Sequence, residues 1–276
     1  MIRKGLIHEL IAGRAFVERN LNLTKRYWQW ELVWLVYTVA NSVTIGFIGK
    51  GIEQLTNTKI DTSYWIMYML LESILWGYLA VIFEIVSQIV SWERWEETIE
   101  YTFMAPVKRL THMLSVCIYA IIYGFLRSVL VLLVVAFFFK LNISQANFLS
   151  ATGILLIASI SFMGLGMCAA VLPLISPEKG SQVVGIFQSL LLMFSGVYYE
   201  ISILPGWMQF VAKLSPATYA LKGMREAILK GLPFTQLWSY IYPLIIMSFV
   251  LFPMGVIVFN RMEHWAKKKG VLKRSG

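Results

Sequence analysis

The chain has 276 residues, of which 58% are hydrophobic and 14% are charged. A soluble domain carries about 25% charged residues, and the apolar residues here are gathered in long blocks. The composition therefore excludes an ordinary soluble enzyme and predicts an all-α polytopic membrane protein, folded as a single transmembrane domain over 1–276. The net charge of +9 is explained below by membrane topology, so no nucleic-acid binding is expected.

The first segment, 1–28, is basic and amphipathic. Leu6, Leu10, Val17 and Leu21 form an apolar stripe at helical spacing, which predicts a helix lying in the cytosolic membrane interface. The alternative is an ordinary positively charged leader. No cleavable signal peptide is expected, because the segment has no uninterrupted apolar core.

Six apolar blocks follow, each near or above the roughly 20 residues that a helix needs to cross a bilayer. The predicted spans are 29–49, 64–90, 112–139, 148–172, 181–199 and 236–260. Of the 24 Lys and Arg residues, 16 fall in the segments that this count places inside and 7 in those outside. The positive-inside rule then puts both termini in the cytosol, and the basic tail 261–276 suits an anionic inner leaflet.

The segment 91–111 is the most polar part of the chain. Its carboxylates recur at the spacing of one helical face, and its apolar residues recur on the other face. This pattern predicts one short cytosolic amphipathic helix with an acidic stripe. The acidic residues are Glu93, Glu96, Glu97 and Glu100, and the apolar residues are Trp92, Trp95, Ile99 and Phe103.

The last outside segment, 200–235, is too apolar for a solvated loop. From Trp207 to Leu214, apolar residues recur about every 3.6 positions, as on one face of a helix. Ser215-Pro216 is typical of an N-cap followed by proline at the first helical position. Glu226 and Lys230 are spaced for a helical ion pair. We expect a re-entrant extracellular hairpin of two short helices before the last span.

Ionisable residues inside the predicted spans are costly and face protein or water. They are Glu72, Glu84 and Arg127. A Glu72–Arg127 or Glu84–Arg127 ion pair is one interpretation, and a proton or cation path is the other. For a substrate path we name Asn41, Glu72 and Phe194, each of which also fits ordinary packing.

Catalytic and cofactor motifs are absent from the sequence. There is no phosphate-binding loop of the G-x-x-x-x-G-K-[ST] type, and the three histidines are scattered. We therefore expect no catalytic residue, no metal site and no cofactor bound by this chain.

Two stretches resemble the type-2 ABC transporter permeases. The first is Glu93-Arg94-x-x-x-Thr98-x-Glu100 followed by Ala105-Pro106, in which Glu97 stands where that family usually has glycine. The second contains Ser195-Gly196-Val197, Pro205-x-Trp207, Leu214-Ser215-Pro216, Tyr219 and Arg225, with Glu200 where proline is common. The resemblance extends in order over nearly the whole chain.

The resemblance implies the membrane subunit of an ATP-driven exporter in the cell membrane. Two permeases, identical or related, would join two separate ATP-binding subunits that hold ATP and magnesium, and would contact membrane lipid. Residues 91–105 would be the coupling helix. The residues that would couple to the ATPase are Glu93, Arg94, Glu96, Glu97, Thr98, Glu100 and Pro106.

The cargo that the resemblance favours is a hydrophobic or amphipathic small molecule such as a drug or antibiotic. Export of a lipid-linked glycan by the same machinery is an alternative. An ion-coupled secondary transporter is a further alternative, which depends on the intramembrane charges. A membrane scaffold without transport activity is another, which depends on the acidic loop.

Overall fold

A computed structural model of the protein describes residues 2–56, 62–139 and 145–270, and within these ranges it contains α-helices and no strands. The all-α prediction is confirmed for this part of the chain. The helices are α1 Ile2–Arg26, α2 Trp28–Thr56, α3 Thr62–Ser87, α4 Ile89–Trp95, α5 Ile99–Met104, α6 Arg109–Phe139, α7 Phe148–Ala169, α8 Val171–Ile175, α9 Pro177–Ser195, α10 Gly206–Lys213, α11 Pro216–Leu229 and α12 Trp238–Lys269.

Long helices occupy all six predicted spans, but only four of them are long and apolar enough to cross a membrane within the described residues. These four are Met67–Ser87, Arg109–Phe139, Phe148–Ile175 and Phe234–Lys269. Helix α9 begins with the polar stretch after Pro177, which lowers its mean hydropathy. The chain is thus a multi-pass membrane protein, and the count of six spans stays a prediction.

Helix α7 lies at the centre of the core and packs against α12, α3 and α11. The approach of α7 to α12 requires glycine on both helices. A Cβ on Gly164 would lie 2.4 Å from the carbonyl oxygen of Leu251, and one on Gly255 would lie 2.4 Å from that of Gly164. Gly166 faces α3 in the same way, with its Cβ position 3.1 Å from the Phe83 oxygen. The small residues of this span therefore serve packing within the chain.

Two short helices, α10 and α11, occupy the segment in which the hairpin is predicted, while its re-entrant extracellular position stays a prediction. Pro216 is the first residue of α11, and Glu226 pairs with Lys230 at 2.8 Å. The side chain of Ser215 caps nothing, although Ser215 is the residue at the cap position. Its hydroxyl is buried without a hydrogen bond, and the Thr218 amide donates to the Ser215 carbonyl at 3.2 Å.

Some sequence predictions fall on residues that the structure does not describe. The predicted loops 50–63 and 140–147 and the basic tail 261–276 each extend past the described ranges. Lys59, Lys140, Lys273 and Arg274 lie outside them.

Candidate functional site

The polar segment forms two helices rather than the single helix that its periodicity predicts. Helix α4 ends at Trp95, and Glu97 adopts a left-handed backbone with φ of 57°. The Glu97 amide donates to the Arg94 carbonyl at 3.1 Å, and the Thr98 amide donates to the Glu93 carbonyl at 2.9 Å. These two bonds form a Schellman motif, whose left-handed position glycine usually occupies. The family's preference for glycine at this position thus has a backbone cause.

The Glu93 side chain points into the protein, which corrects its predicted place on the acidic stripe. Only 3% of it is exposed. Its Oε1 lies 2.9 Å from His112 Nε2 and 3.2 Å from Arg19 Nη2, and it accepts a hydrogen bond from Thr102 Oγ1 at 3.1 Å. We call Arg19, Glu93, Thr102 and His112 the Glu93 cluster. It joins α1, α4, α5 and α6.

The Glu93 cluster determines the protonation state of the Glu93 carboxyl group. Burial raises the pKa of its carboxyl group, but His112 and Arg19 more than offset this effect and hold the pKa below the ordinary value. Glu93 is therefore charged at neutral pH. A buried carboxylate with this many donors is stable where an isolated one would not be.

Further contacts join α4 to the chain on its other side. Arg94 Nη2 donates to the Leu174 carbonyl at 3.3 Å, one of the free carbonyls at the end of α8. Burial lowers the pKa of Arg94. The Ser91 and Ser181 hydroxyls are 2.9 Å apart, which connects α4 to α9.

The start of α6 is capped from α1. The Glu9 carboxylate accepts hydrogen bonds from the Lys108 amide at 3.3 Å and from the Thr111 hydroxyl. The bond from Thr111 is the main reason why the pKa of Glu9 is lowered. Helix α1 is thereby fixed along α6, while its position in a membrane interface stays a prediction.

The outer surface of this segment is aromatic and acidic. Tyr101 is 74% exposed, Trp95 is 62% exposed, and Glu97, Glu100 and Pro106 are exposed as well. Ile99 is buried, as its apolar face predicts, whereas Trp92 and Trp95 are not. The side chain of Phe103 lies outside what the structure describes. We call residues 89–106 the coupling element.

Glu72 pairs with a residue that the sequence analysis did not connect to it. Its Oε1 accepts from Arg225 of α11 at 2.8 Å, so the predicted Glu72–Arg127 pair is wrong. The Arg225 guanidinium also lies over the Tyr68 ring, 4.1 Å from its centre. Because the hairpin folds back against α3, an arginine far along the chain meets Glu72.

Arg127 and Glu84 also differ from the prediction, since they form no ion pair with each other. Arg127 donates to Thr38 Oγ1 at 2.7 Å and to the Trp34 carbonyl at 3.4 Å, both on α2. The exposed side chain of Glu84 forms no hydrogen bond or ion pair with a described residue, and the Arg127 guanidinium acts on it only from beyond ion-pair distance.

A cavity of about 860 Å³ lies between α1, α2, α3, α4, α6 and α9. Glu84, Arg127 and Glu96 line it, as do several tryptophans and tyrosines. The structure does not bring the predicted path residues together there. Asn41 is exposed on α2, Phe194 is partly buried on α9, and Glu72 is held in its ion pair.

The family of the chain follows from a comparison of its sequence with known families. A family model described as ABC-2 type transporter matches residues 13–229, from the middle of α1 to the end of α11. The chain belongs to the ABC-2 type transporter family. No curated protein matches the sequence.

Membership gives the general role of the chain. It is a membrane permease subunit of an ABC transporter, and such permeases generally have no ATPase site of their own. An ABC ATP-binding partner is implied in general. The matched range includes the coupling element and the helical hairpin, the two regions on which the resemblance in the sequence depends.

Sequence reasoning missed the partners of the two buried carboxylates. In the sequence, Arg19 is only one of several basic residues in the first segment, His112 is a histidine at a span end, and no pattern singles out Thr102. Arg225 appeared only as a family-like position. A buried carboxylate needs a cation nearby, which predicts a basic partner for each of these two residues. The rule does not identify which basic residue that partner is.

Proposed function

We propose that this chain is the membrane-spanning subunit of an ATP-driven exporter in the cell membrane, and that residues 89–106 are where a separate ATPase docks. The proposed cargo is a hydrophobic or amphipathic small molecule. In this proposal the chain acts with a second permease copy or a paralogue, spans the membrane six times and keeps both termini in the cytosol.

The division of the coupling element into two surfaces carries the proposal. Its outer surface exposes aromatic rings and the Glu97 and Glu100 carboxylates. An acidic surface is repelled by an anionic inner leaflet, so a protein is a better partner for it than lipid. Exposed aromatic residues on a small polar-rimmed surface are typical of protein contacts.

Its inner surface is suited to transmitting movement. Helix α4 is joined to α1 and α6 through the Glu93 cluster, to α8 through Arg94 and to α9 through Ser91. A displacement of α4 by a closing ATPase would therefore shift several membrane helices together. The two states must differ in their binding free energy to the ATPase for this shift to occur.

The ion-coupled alternative receives less support from the buried charges. A proton relay needs a connected series of ionisable groups. Glu72 forms an ion pair with Arg225, and Arg127 donates a hydrogen bond to Thr38. Glu72 and Arg127 therefore each take part in a local structural contact. Export of a lipid-linked glycan would use the same machinery and would differ only in the cargo.

The test is charge reversal on the outer surface of the coupling element. We expect the double variant Glu97→Lys and Glu100→Lys to lose copurification of the ATPase and transport-linked ATP hydrolysis, while the chain still folds. The matched control is Glu200→Lys, an exposed carboxylate beyond α9 that is remote in sequence from the element. Normal ATPase binding by the double variant would overturn the docking site, and ion-driven transport by the purified chain without any ATPase would overturn the function.

A further inference from the structure

The cavity of about 860 Å³ has the size of a small-molecule site, since ligand pockets typically measure about 300–1,000 Å³. It lies beside α4, at the end of α3 that leads into the coupling element. In the proposed topology this is the cytosolic half of the membrane, where an exporter takes up its cargo.

The cavity walls are unusually rich in aromatic rings. They come from four different helices, so flat apolar surfaces face the cavity from several directions. Six of these residues are Trp30, Trp34, Tyr37, Trp76, Tyr119 and Tyr123. Aromatic faces carry negative partial charge and attract organic cations, an effect that grows when water is excluded.

The charges in the walls have a negative excess. Four carboxylates and two guanidinium groups line the cavity, namely Glu31, Glu84, Glu93, Glu96, Arg19 and Arg127. Arg19 forms an ion pair with Glu93, and Arg127 donates a hydrogen bond to the hydroxyl of Thr38. Glu31 accepts a hydrogen bond from Tyr123, and Glu96 one from Tyr27, which raises the pKa of Tyr27.

Glu84 differs from the other carboxylates of the cavity. Its side chain is exposed and lines this space, and no described residue donates a hydrogen bond to its carboxylate or forms an ion pair with it. The nearest cation is Arg127, which acts on Glu84 from beyond ion-pair distance and donates its hydrogen bonds to α2 instead. Within the predicted membrane segment such a carboxylate is costly. A ligand with a positive charge would satisfy it.

We propose that this cavity binds amphipathic organic monocations with aromatic or other apolar bodies, and that Glu84 is the carboxylate that faces their charge. The aromatic walls hold the apolar body of the ligand, and the excess negative charge selects cations over anions. This inference rests on the proposed function, because it names the cargo class of the same permease.

The test measures equilibrium binding to the purified full-length chain in lipid nanodiscs, without an ATPase, against empty nanodiscs. The probes are tetraphenylphosphonium and tetraphenylborate, which have nearly the same shape and opposite charges. We expect the cation to bind and the anion to bind at least about tenfold more weakly. A hydrogen bond or ion pair to a charged group contributes enough for this factor.

Variants assign the selectivity to Glu84. We expect Glu84→Gln to weaken binding of the cation about tenfold and Glu84→Asp to keep most of it. The matched control is Glu200→Gln, which removes the same charge from an exposed residue outside the cavity lining and leaves binding unchanged. The aspartate variant also shows that the glutamine variant fails through charge rather than through folding.

Equal affinity for both probes, or an unchanged affinity in Glu84→Gln, would overturn the proposal. Binding of a neutral oligosaccharide in place of the cation, insensitive to Glu84→Gln, would overturn it in favour of glycan export. Since no ATPase is present, these outcomes concern the cargo alone. Normal ATPase binding by the double variant Glu97→Lys and Glu100→Lys, with cation binding intact, would overturn the docking site and leave the cargo proposal standing.

Discussion

Glu84 and Glu93 lie on consecutive helices and border the same cavity, yet their surroundings are opposite. Glu93 is 3% exposed and is contacted by Arg19, Thr102 and His112. Glu84 is exposed, without a described partner. A carboxylate with all its partners inside the chain stabilises the fold, whereas one that lacks them is available to a ligand. The comparison therefore separates residues that hold the coupling element from residues that face cargo.

The largest effect on stability is expected at Glu93. Glu93→Ala leaves a partly buried arginine and a buried histidine without their carboxylate, and we expect a loss of about 3 kcal/mol in the free energy of unfolding. Glu100→Ala, which removes an exposed carboxylate from the same element, should change it by less than about 0.5 kcal/mol. Denaturant titration followed by tryptophan fluorescence measures both, and equal effects would remove the distinction.

The pH dependence of the same transition tests the cluster independently. Glu93 has a folded pKa below its ordinary value of 4.5, so the unfolded chain binds more protons than the folded chain as pH falls below that value. The stabilisation by Glu93 is thus present above about pH 4.5 and is lost as pH falls through its folded pKa. Glu93→Gln should flatten this part of the curve; a curve that keeps the slope of the unaltered chain would contradict the assignment.

An intermediate effect of opposite sign is expected at Glu97. Its left-handed backbone costs roughly 1 kcal/mol for a residue with a side chain, and glycine adopts it freely. Glu97→Gly should therefore raise the free energy of unfolding by about 1 kcal/mol. Glu97→Ala is the control, since alanine removes the charge and retains the strain. If both variants gained equally, charge rather than backbone would be the cause.

The smallest effect on stability is expected at Glu84. Because the Glu84 side chain is exposed and forms no hydrogen bond or ion pair with a described residue, Glu84→Gln should change the free energy of unfolding by less than about 0.5 kcal/mol. A loss as large as that of Glu93→Ala would mean that Glu84 belongs to the structural core. The measurement is the same denaturant titration.

Local signals in the sequence predicted the helices well. Long apolar blocks placed the long helices, and Ser215-Pro216 marked the start of α11 because proline fits the first helical position. The break at Glu97 was less accessible, since helical periodicity continues through it. Only the departure from glycine pointed to this position, and the positive φ explains why.

Pairings between distant residues could not be predicted. Glu72 meets Arg225 because the hairpin folds against α3, and Glu93 meets Arg19 because α1 lies along α6. These contacts depend on how the helices pack. Helical spacing therefore put Glu93 on the wrong face, and the rule that intramembrane charges pair with one another gave Arg127 the wrong partners.

The most direct test of the central claim is crosslinking between the coupling element and the ATPase. A cysteine in place of Tyr101, in a chain with Cys117→Ala and Cys168→Ala, should crosslink to the ATP-binding subunit in membranes, with a yield that changes when ATP is bound. A cysteine in place of Glu200 should not crosslink to it. Failure at Tyr101, or crosslinking at Glu200 instead, would contradict the assignment of residues 89–106 as the docking site.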